Sequence, residues 1–421
     1  MEPVFASEHA VTRTAFERDT GTRVAKPRRA APSDAVRPTR AEINLQALRH
    51  NLAVVQRLAA GARVWAVLKA DGYGHGAPAV ARTLERAGAH GFCVALLEEG
   101  IELREAGIRV PILVMGGYYG AAYEELLVRG LTPVIYDRTQ VERFARLARA
   151  GRIDAPVRVH LKVDTGMARL GVTLDELRSF GTILERFPEV RIEGLMTHFA
   201  SADDATTEAM DEQLRLFEEA SAELRRIGVH PTLRHAANSA ALLRGWARFD
   251  AVRPGLALFG IAPRLGELGE LGELGELPEP ESLRQVMRVR TEVIALRDVA
   301  PGNPVGYSGL WKATRPSRIA TVPIGYADGV PRALSNRGHM LVHGRRVPIV
   351  GAISMDMAML DVTDLAQVAQ VALRDEVVVL GSQEGGNELI SASEIADHCG
   401  TIPWEVLTSV SRRVPRFYRE P

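Results

Sequence analysis

Val67-Leu68-Lys69-Ala70-Asp71-Gly72-Tyr73-Gly74-His75-Gly76 is the stretch whose reading decides the fold. The apolar run Val64–Leu68 that leads into it has the length and composition of a buried strand. The polar, glycine-rich segment that follows is a loop, and a helical pattern begins near Ala77. Lys69 therefore sits at the carboxyl end of a strand facing a helix. Desolvation there lowers a lysine's pKa and makes its amine a base or a Schiff-base nucleophile. An isolated Lys-Ala-Asp would be read as a strand-end lysine in solvent. A tyrosine and a histidine held between glycines suit a pocket better than a generic turn, because glycines let backbone approach a ligand closely.

Outward from this stretch, short apolar runs alternate with amphipathic helical patterns. The strand candidates are 64–68, 91–96, 111–115, 132–136, 157–163, 192–197, 233–236 and 251–259. Helical stretches, among them 44–59, 77–87, 122–129, 140–150 and 207–227, lie between them. Eight β-α units predict an α/β fold with an N-terminal (β/α)8 TIM barrel. A doubly wound sheet uses the same elements. The placement of polar residues favours the barrel, since Lys69, Asp164, His198, Asn238 and Arg253 all end or follow strands and would converge on one rim. From Val286 the pattern changes to strands without long helices, at 286–296, 319–323, 339–342, 346–349 and 376–380. That is the signature of a C-terminal, mostly β domain.

Composition narrows the function classes. Lysine plus arginine and aspartate plus glutamate number 52 each, so no net field favours nucleic acid or an acidic membrane. Two cysteines, Cys93 and Cys399, do not make a disulfide framework or a zinc cluster. No apolar run is long enough to span a bilayer. Residues 1–39 are proline-dotted and arginine-rich, lack a hydrophobic signal region, and are expected to be a disordered tail of a cytoplasmic protein. Residues 40–262 are expected to form the barrel. Residues 263–283, with their Gly-Glu-Leu repeat, read as an insertion, and residues 284–421 as the β domain.

Further motifs sit where such a barrel would gather them. Lys162-Val163-Asp164-Thr165-Gly166-Met167-Ala168-Arg169 presents an arginine whose planar fork suits a carboxylate or phenolate. Met196-Thr197-His198 ends the sixth strand. Asn238-Ser239 follows the seventh strand and opens a helix, a place where phosphate binds readily. Val252-Arg253-Pro254-Gly255-Leu256 lies in the eighth unit, and loops after strands seven and eight commonly hold a phosphate. Val305-Gly306-Tyr307-Ser308, Gly325-Tyr326 with Arg332, and Ser354-Met355-Asp356 belong to the second domain.

The Lys69 stretch resembles the pyridoxal-phosphate (PLP) lysine motif of alanine racemases, and the likeness extends from near Thr39 to the carboxyl end. It implies a two-base interconversion of L- and D-alanine that supplies peptidoglycan precursors, with Lys69 as cofactor lysine and base for the D face. Tyr307 matches the second base, for the L face. The resemblance assigns Ser239 and the Gly255 and Leu256 amides to the cofactor phosphate, and Arg253 to the pyridine nitrogen. Tyr73 is assigned to the cofactor, and His198 to a hydrogen bond with Arg253. Arg169 and the Met355 amide would bind the substrate carboxylate, and Tyr326 and Arg332 would line the entrance. Lys162 matches a lysine that is carbamylated in some members. Because tyrosine titrates near ~10, Tyr307 needs nearby positive charge, from Arg169 or His198. Members of the family are head-to-tail homodimers, so each site would take Lys69 from one chain and Tyr307 from the other. One departure stands out: Arg412 occupies the place of a phosphate-binding tyrosine found in some members.

Three rivals share features of this reading. A fold-III PLP decarboxylase would carry a cysteine-containing acidic motif in the second domain, where this chain has Ser354-Met355-Asp356. A non-catalytic PLP-binding regulatory protein would lack everything after the barrel. Broad-specificity racemases usually look exported and carry cysteine pairs.

Overall fold

The computed structural model describes residues 36–119, 122–203, 208–262, 282–367 and 370–420. Most of the expected tail and of the Gly-Glu-Leu insertion lies outside them. Eight parallel strands close into a barrel: β2 (Arg63–Val67), β3 (Gly91–Leu96), β4 (Ile112–Gly117), β5 (Thr132–Ile135), β6 (Val157–Lys162), β7 (Val190–Met196), β8 (Leu233–His235) and β9 (Ala251–Val252). Closure comes from β9 pairing back onto β2, with Arg63 opposite Ala251 and Val64 opposite Val252. Strands such as β3 and β4 are buried along most of their length and read as continuous apolar runs, whereas β6 and β7 begin with Val-Arg alternation whose arginines, Arg158 and Arg191, are exposed. Helices begin where side chains can take up their free amides. Asp137 accepts from Thr139 N at 2.6 Å, and Thr173 and Glu176 form a reciprocal capping box.

Two expected elements are corrected. The run 251–259 is a two-residue strand followed by a 3-10 turn, Leu256–Phe259. Pro254 has no N–H to give a neighbouring strand, so the ladder stops there. The run 286–296 is two strands in different sheets, β10 (Met287–Glu292) and Ala295–Val299, because the chain crosses between sheets at Val293 and Ile294.

The second domain is built on a seven-stranded sheet in which β10 is flanked by Glu376–Ser382 and by β1 (Arg40–Asn44). Residues 40–44, assigned from sequence to the barrel domain with no strand expected there, form β1, which pairs antiparallel to β10 and parallel to Arg416–Arg419. The reason lies in Glu42, a buried carboxylate pinned by Arg290 at 2.8 Å, Arg40 at 2.9 Å, Arg288 at 3.1 Å and Arg419 at 3.2 Å. Three of those arginines come from β10 and from the last strand and its end, so the partners of Glu42 exist only in this sheet. The end of the expected tail is also held: Arg37 grips the buried Asp328 with two bonds, at 2.8 and 3.0 Å. A single apolar core runs from the barrel into this sheet, and a small satellite cluster of Val305, Ile319 and Val350 lies under the loop that carries Tyr307.

Removing one partner of a buried ion pair leaves the others uncompensated. Glu42→Ala is therefore expected to destabilise the chain by about 3–5 kcal/mol. Urea unfolding monitored by circular dichroism checks this, and a change within error of wild type would show the cluster to be ornamental.

Candidate active site

Strand β2 delivers Lys69 to the carboxyl rim of the barrel. The chain then turns in the left-handed region at Ala70, Asp71, Gly72 and Tyr73, with φ of 53°, 58°, 61° and 51°. Three of these are not glycine, and each such residue costs about 1–2 kcal/mol. The turn survives because it is tied on several sides: Gly72 N bonds Leu68 O at 2.9 Å and Asp71 Oδ1 accepts from Ala77 N at 2.9 Å. Its outer side packs on the helix Pro403–Ser409 of the second domain, where a Cβ on Gly74 would come within 2.4 Å of Leu407 O.

Seven of the expected residues line one cleft: Lys69, Tyr73, His198, Ser239, Arg253, Gly255 and Leu256. Met115, Asp203 and Trp404 also line it and were not anticipated. In the same cleft as Lys69, the Ser239 hydroxyl accepts from Gly255 N at 3.0 Å and from Ala257 N at 3.2 Å, so it gathers two backbone amides around its oxygen. A Cβ on Gly255 would fall 2.3 Å from the Tyr73 hydroxyl, so only glycine lets these groups meet. Small hydroxyl and amide donors around a space with no Cβ form a cradle that fits a phosphate group.

The electrostatics are cationic. Burial lowers the Lys69 pKa first, and Arg169 lowers it further, while Glu99 opposes both. Lys162, buried at the end of β6, is lowered to about 8 by burial, Arg169 and Arg253. Arg169 is exposed on a loop that Asp164 holds by accepting the amides of Gly166, Met167 and Ala168 at 3.0–3.1 Å. His198 was one of two expected sources of positive charge. Burial and the surrounding cations push it down to about 3, so it is neutral and cannot serve.

Arg253 is the hub of the barrel interior, and most of its partners were missed from sequence. It donates to Thr197 O and His235 O at 2.7 Å and to Ala236 O at 3.1 Å, and its contact with His198 Nδ1 is a long 3.5 Å. It also donates to His235 Nδ1 at 2.8 Å. A guanidinium has donors only, so that nitrogen must accept. The proton of His235 then lies on Nε2, which meets His160 Nδ1 at 2.8 Å. His160 in turn carries its proton on Nε2, which has no partner among the described residues. Burial keeps both imidazoles neutral. The signal was present as histidines inside strands 157–163 and 233–236, but nothing local pairs residues 75 positions apart.

The remaining candidates lie elsewhere. Tyr307, Tyr326 and Met355 are 71%, 43% and 52% exposed, Arg332 is exposed, and none lines the cleft of its own chain. Arg412 is exposed too and does not reach the cleft, whereas Trp404 does.

A closed barrel with a strand-end lysine of lowered pKa in one cleft with a phosphate cradle defines a class of enzyme that works on small molecules through a phosphorylated cofactor. The alanine racemase N-terminal domain matches residues 43–263, and the alanine racemase C-terminal domain matches residues 286–418. The chain is 56% identical over 398 residues to an alanine racemase of Sorangium cellulosum, covering 92% of this chain and 100% of that one. An alanine racemase structure from Streptomyces coelicolor superposes with a TM-score of 0.82 at 33% identity, covering 92% and 99% of the two chains. One from Bartonella henselae, with covalently bound pyridoxal phosphate, has a TM-score of 0.79 at 31% identity and covers 91% and 99%. This chain belongs to the alanine racemase family.

Proposed function

We infer that the chain interconverts L- and D-alanine with pyridoxal phosphate. The observation that carries this is the pairing of family membership along nearly the whole chain with a cleft that holds Lys69 together with the Ser239, Gly255 and Ala257 cradle. Ser239 and the Gly255 and Leu256 amides would hold the phosphate, Arg253 would face the ring nitrogen, and Tyr73 would pack at the cofactor. When bound, the cofactor draws electrons from the substrate Cα and so acidifies its proton. Inversion without moving the substrate needs a proton acceptor on each face. Lys69 is one, and burial and Arg169 shift its pKa in the direction that favours the neutral amine. Tyr307 is the other, with Arg169 as the nearby positive charge and as the binder of the substrate carboxylate alongside the Met355 amide. Tyr326 and Arg332 line the entrance. The exposure of Tyr307, Tyr326, Arg332 and Met355 in a single chain supports a homodimer in which they complete the cleft of a second copy. No helix among the described residues is long and apolar enough to cross a membrane. The reading places the enzyme in the cytoplasm, supplying D-alanine for peptidoglycan.

Purified protein should absorb at the edge of the visible range, and borohydride should link the cofactor to Lys69, read by peptide mass spectrometry. A label on another lysine sinks the assignment.

Lys162 is proposed to carry a carbamate. A neutral amine is required to capture carbon dioxide, and a pKa of about 8 leaves much of it neutral near pH 8. The sign is consistent with relief of strain. A lysine whose pKa falls on folding makes the unmodified chain gain stability as pH rises from about 8 towards 10.5, because the unfolded chain holds more protons there. Carbamylation removes the buried cation beside Arg169 and Arg253 at lower pH. Labelled bicarbonate should produce a carbamate resonance that Lys162→Arg abolishes; its persistence in that variant would place it elsewhere.

A further inference from the structure

Glu99 lies in the first turn of the helix Leu97–Glu105, in the β-α unit next to the one that carries Lys69. Its two oxygens take three backbone amides. One accepts from Ala70 N at 2.6 Å, the amide that follows Lys69. The other accepts from Ala95 N at 2.8 Å and Leu96 N at 3.1 Å. Capping its own helix accounts for the last two bonds and not for the first, which crosses to a different strand-end loop. A carboxylate suits this place because both oxygens only accept, whereas a glutamine would turn an NH2 against an amide. The backbone it grips is the left-handed turn at Ala70, Asp71 and Tyr73, and such a conformation persists only where its surroundings over-determine it. The same carboxylate is the negative charge that acts on the Lys69 ammonium against Arg169.

We propose that Glu99 is a positioning residue for Lys69: it clamps the amide after the lysine and so sets a carboxylate one residue from it. Its catalytic meaning rests on Lys69 being the reacting lysine; the test below does not.

The chain has four lysines, Lys26, Lys69, Lys162 and Lys312, so acylation of each is resolved by peptide mass spectrometry. The full chain freed of cofactor is labelled with acetic anhydride across pH, with exposed Lys312 as internal reference. Glu99→Gln removes a charge that raises the lysine's pKa, so Lys69 labelling at pH 8 should rise at least about twofold. Glu99→Asp keeps the charge and should return labelling towards wild type. Unchanged Lys69 labelling in a folded E99Q chain, or an equal change in E99D, would overturn the electrostatic part. The clamp is tested by hydrogen exchange at the Ala70 amide, which should be protected in the unmodified chain at neutral pH and released by Glu99→Ala, while the Val67 amide, bonded to Pro254 O at 2.9 Å, keeps its protection. If Ala70 and Val67 respond alike in a folded E99A chain, or Ala70 is unprotected in the unmodified chain at neutral pH, there is no clamp, even if E99Q fails to fold.

Discussion

Mixed Lys69→Ala and Tyr307→Ala chains, each nearly inactive alone, are expected to regain about a quarter of wild-type activity after subunit exchange. Random exchange makes half of the dimers mixed. In a mixed dimer one cleft loses both bases and the other keeps both. The structure supplies the motive. Tyr307 sits on a short turn between Pro304–Val305 and Trp311–Lys312, 71% exposed, with exposed Leu310, Met355 and Met357 on the same domain. Trp404 alone among the described second-domain residues reaches the cleft of its own chain. A base left in solvent cannot act on a substrate in the barrel. If both bases served the same chain's cleft, no mixed site would be whole and no activity would return. Exchange must be verified by mass before a null result is read.

Arg253→Lys is expected to lower racemisation by about 10²–10³-fold, the usual cost of losing a preorganised charged donor. Lysine keeps the charge but not the fork that reaches Thr197 O, His235 O and Ala236 O together. Buried carbonyls left without donors cost about 1–3 kcal/mol each, so the melting temperature should fall as well. The diagnostic readout is the imidazole. With the guanidinium gone, His235 Nδ1 is no longer obliged to accept, and nitrogen NMR should show its tautomer shift. Arg253→Glu would be harsher, since a carboxylate brings no donor to those three carbonyls. Full activity in Arg253→Lys with an unmoved His235 tautomer would refute the role of the hub.

What the sequence determined by itself is local. Eight apolar runs of strand length, spaced by amphipathic helices, were countable because burial on both faces leaves a continuous run and a buried helix face recurs every three to four residues. Lys69, Asn238 and Arg253 were legible as rim residues because a strand's end is marked by the loop that follows it. Tertiary structure alone decided which sheet received β1, because Glu42 finds its arginines some 250 and 380 residues away. It also decided that His235 and His160 stand behind Arg253 and that Glu99 stands under Lys69. Hydrogen bonds between elements carry no periodic trace, since a single histidine or glutamate in a strand or helix reads the same with or without its distant partner. Tyr307 shows the limit most sharply: its motif marks the residue, but its exposure follows only from how the two domains pack.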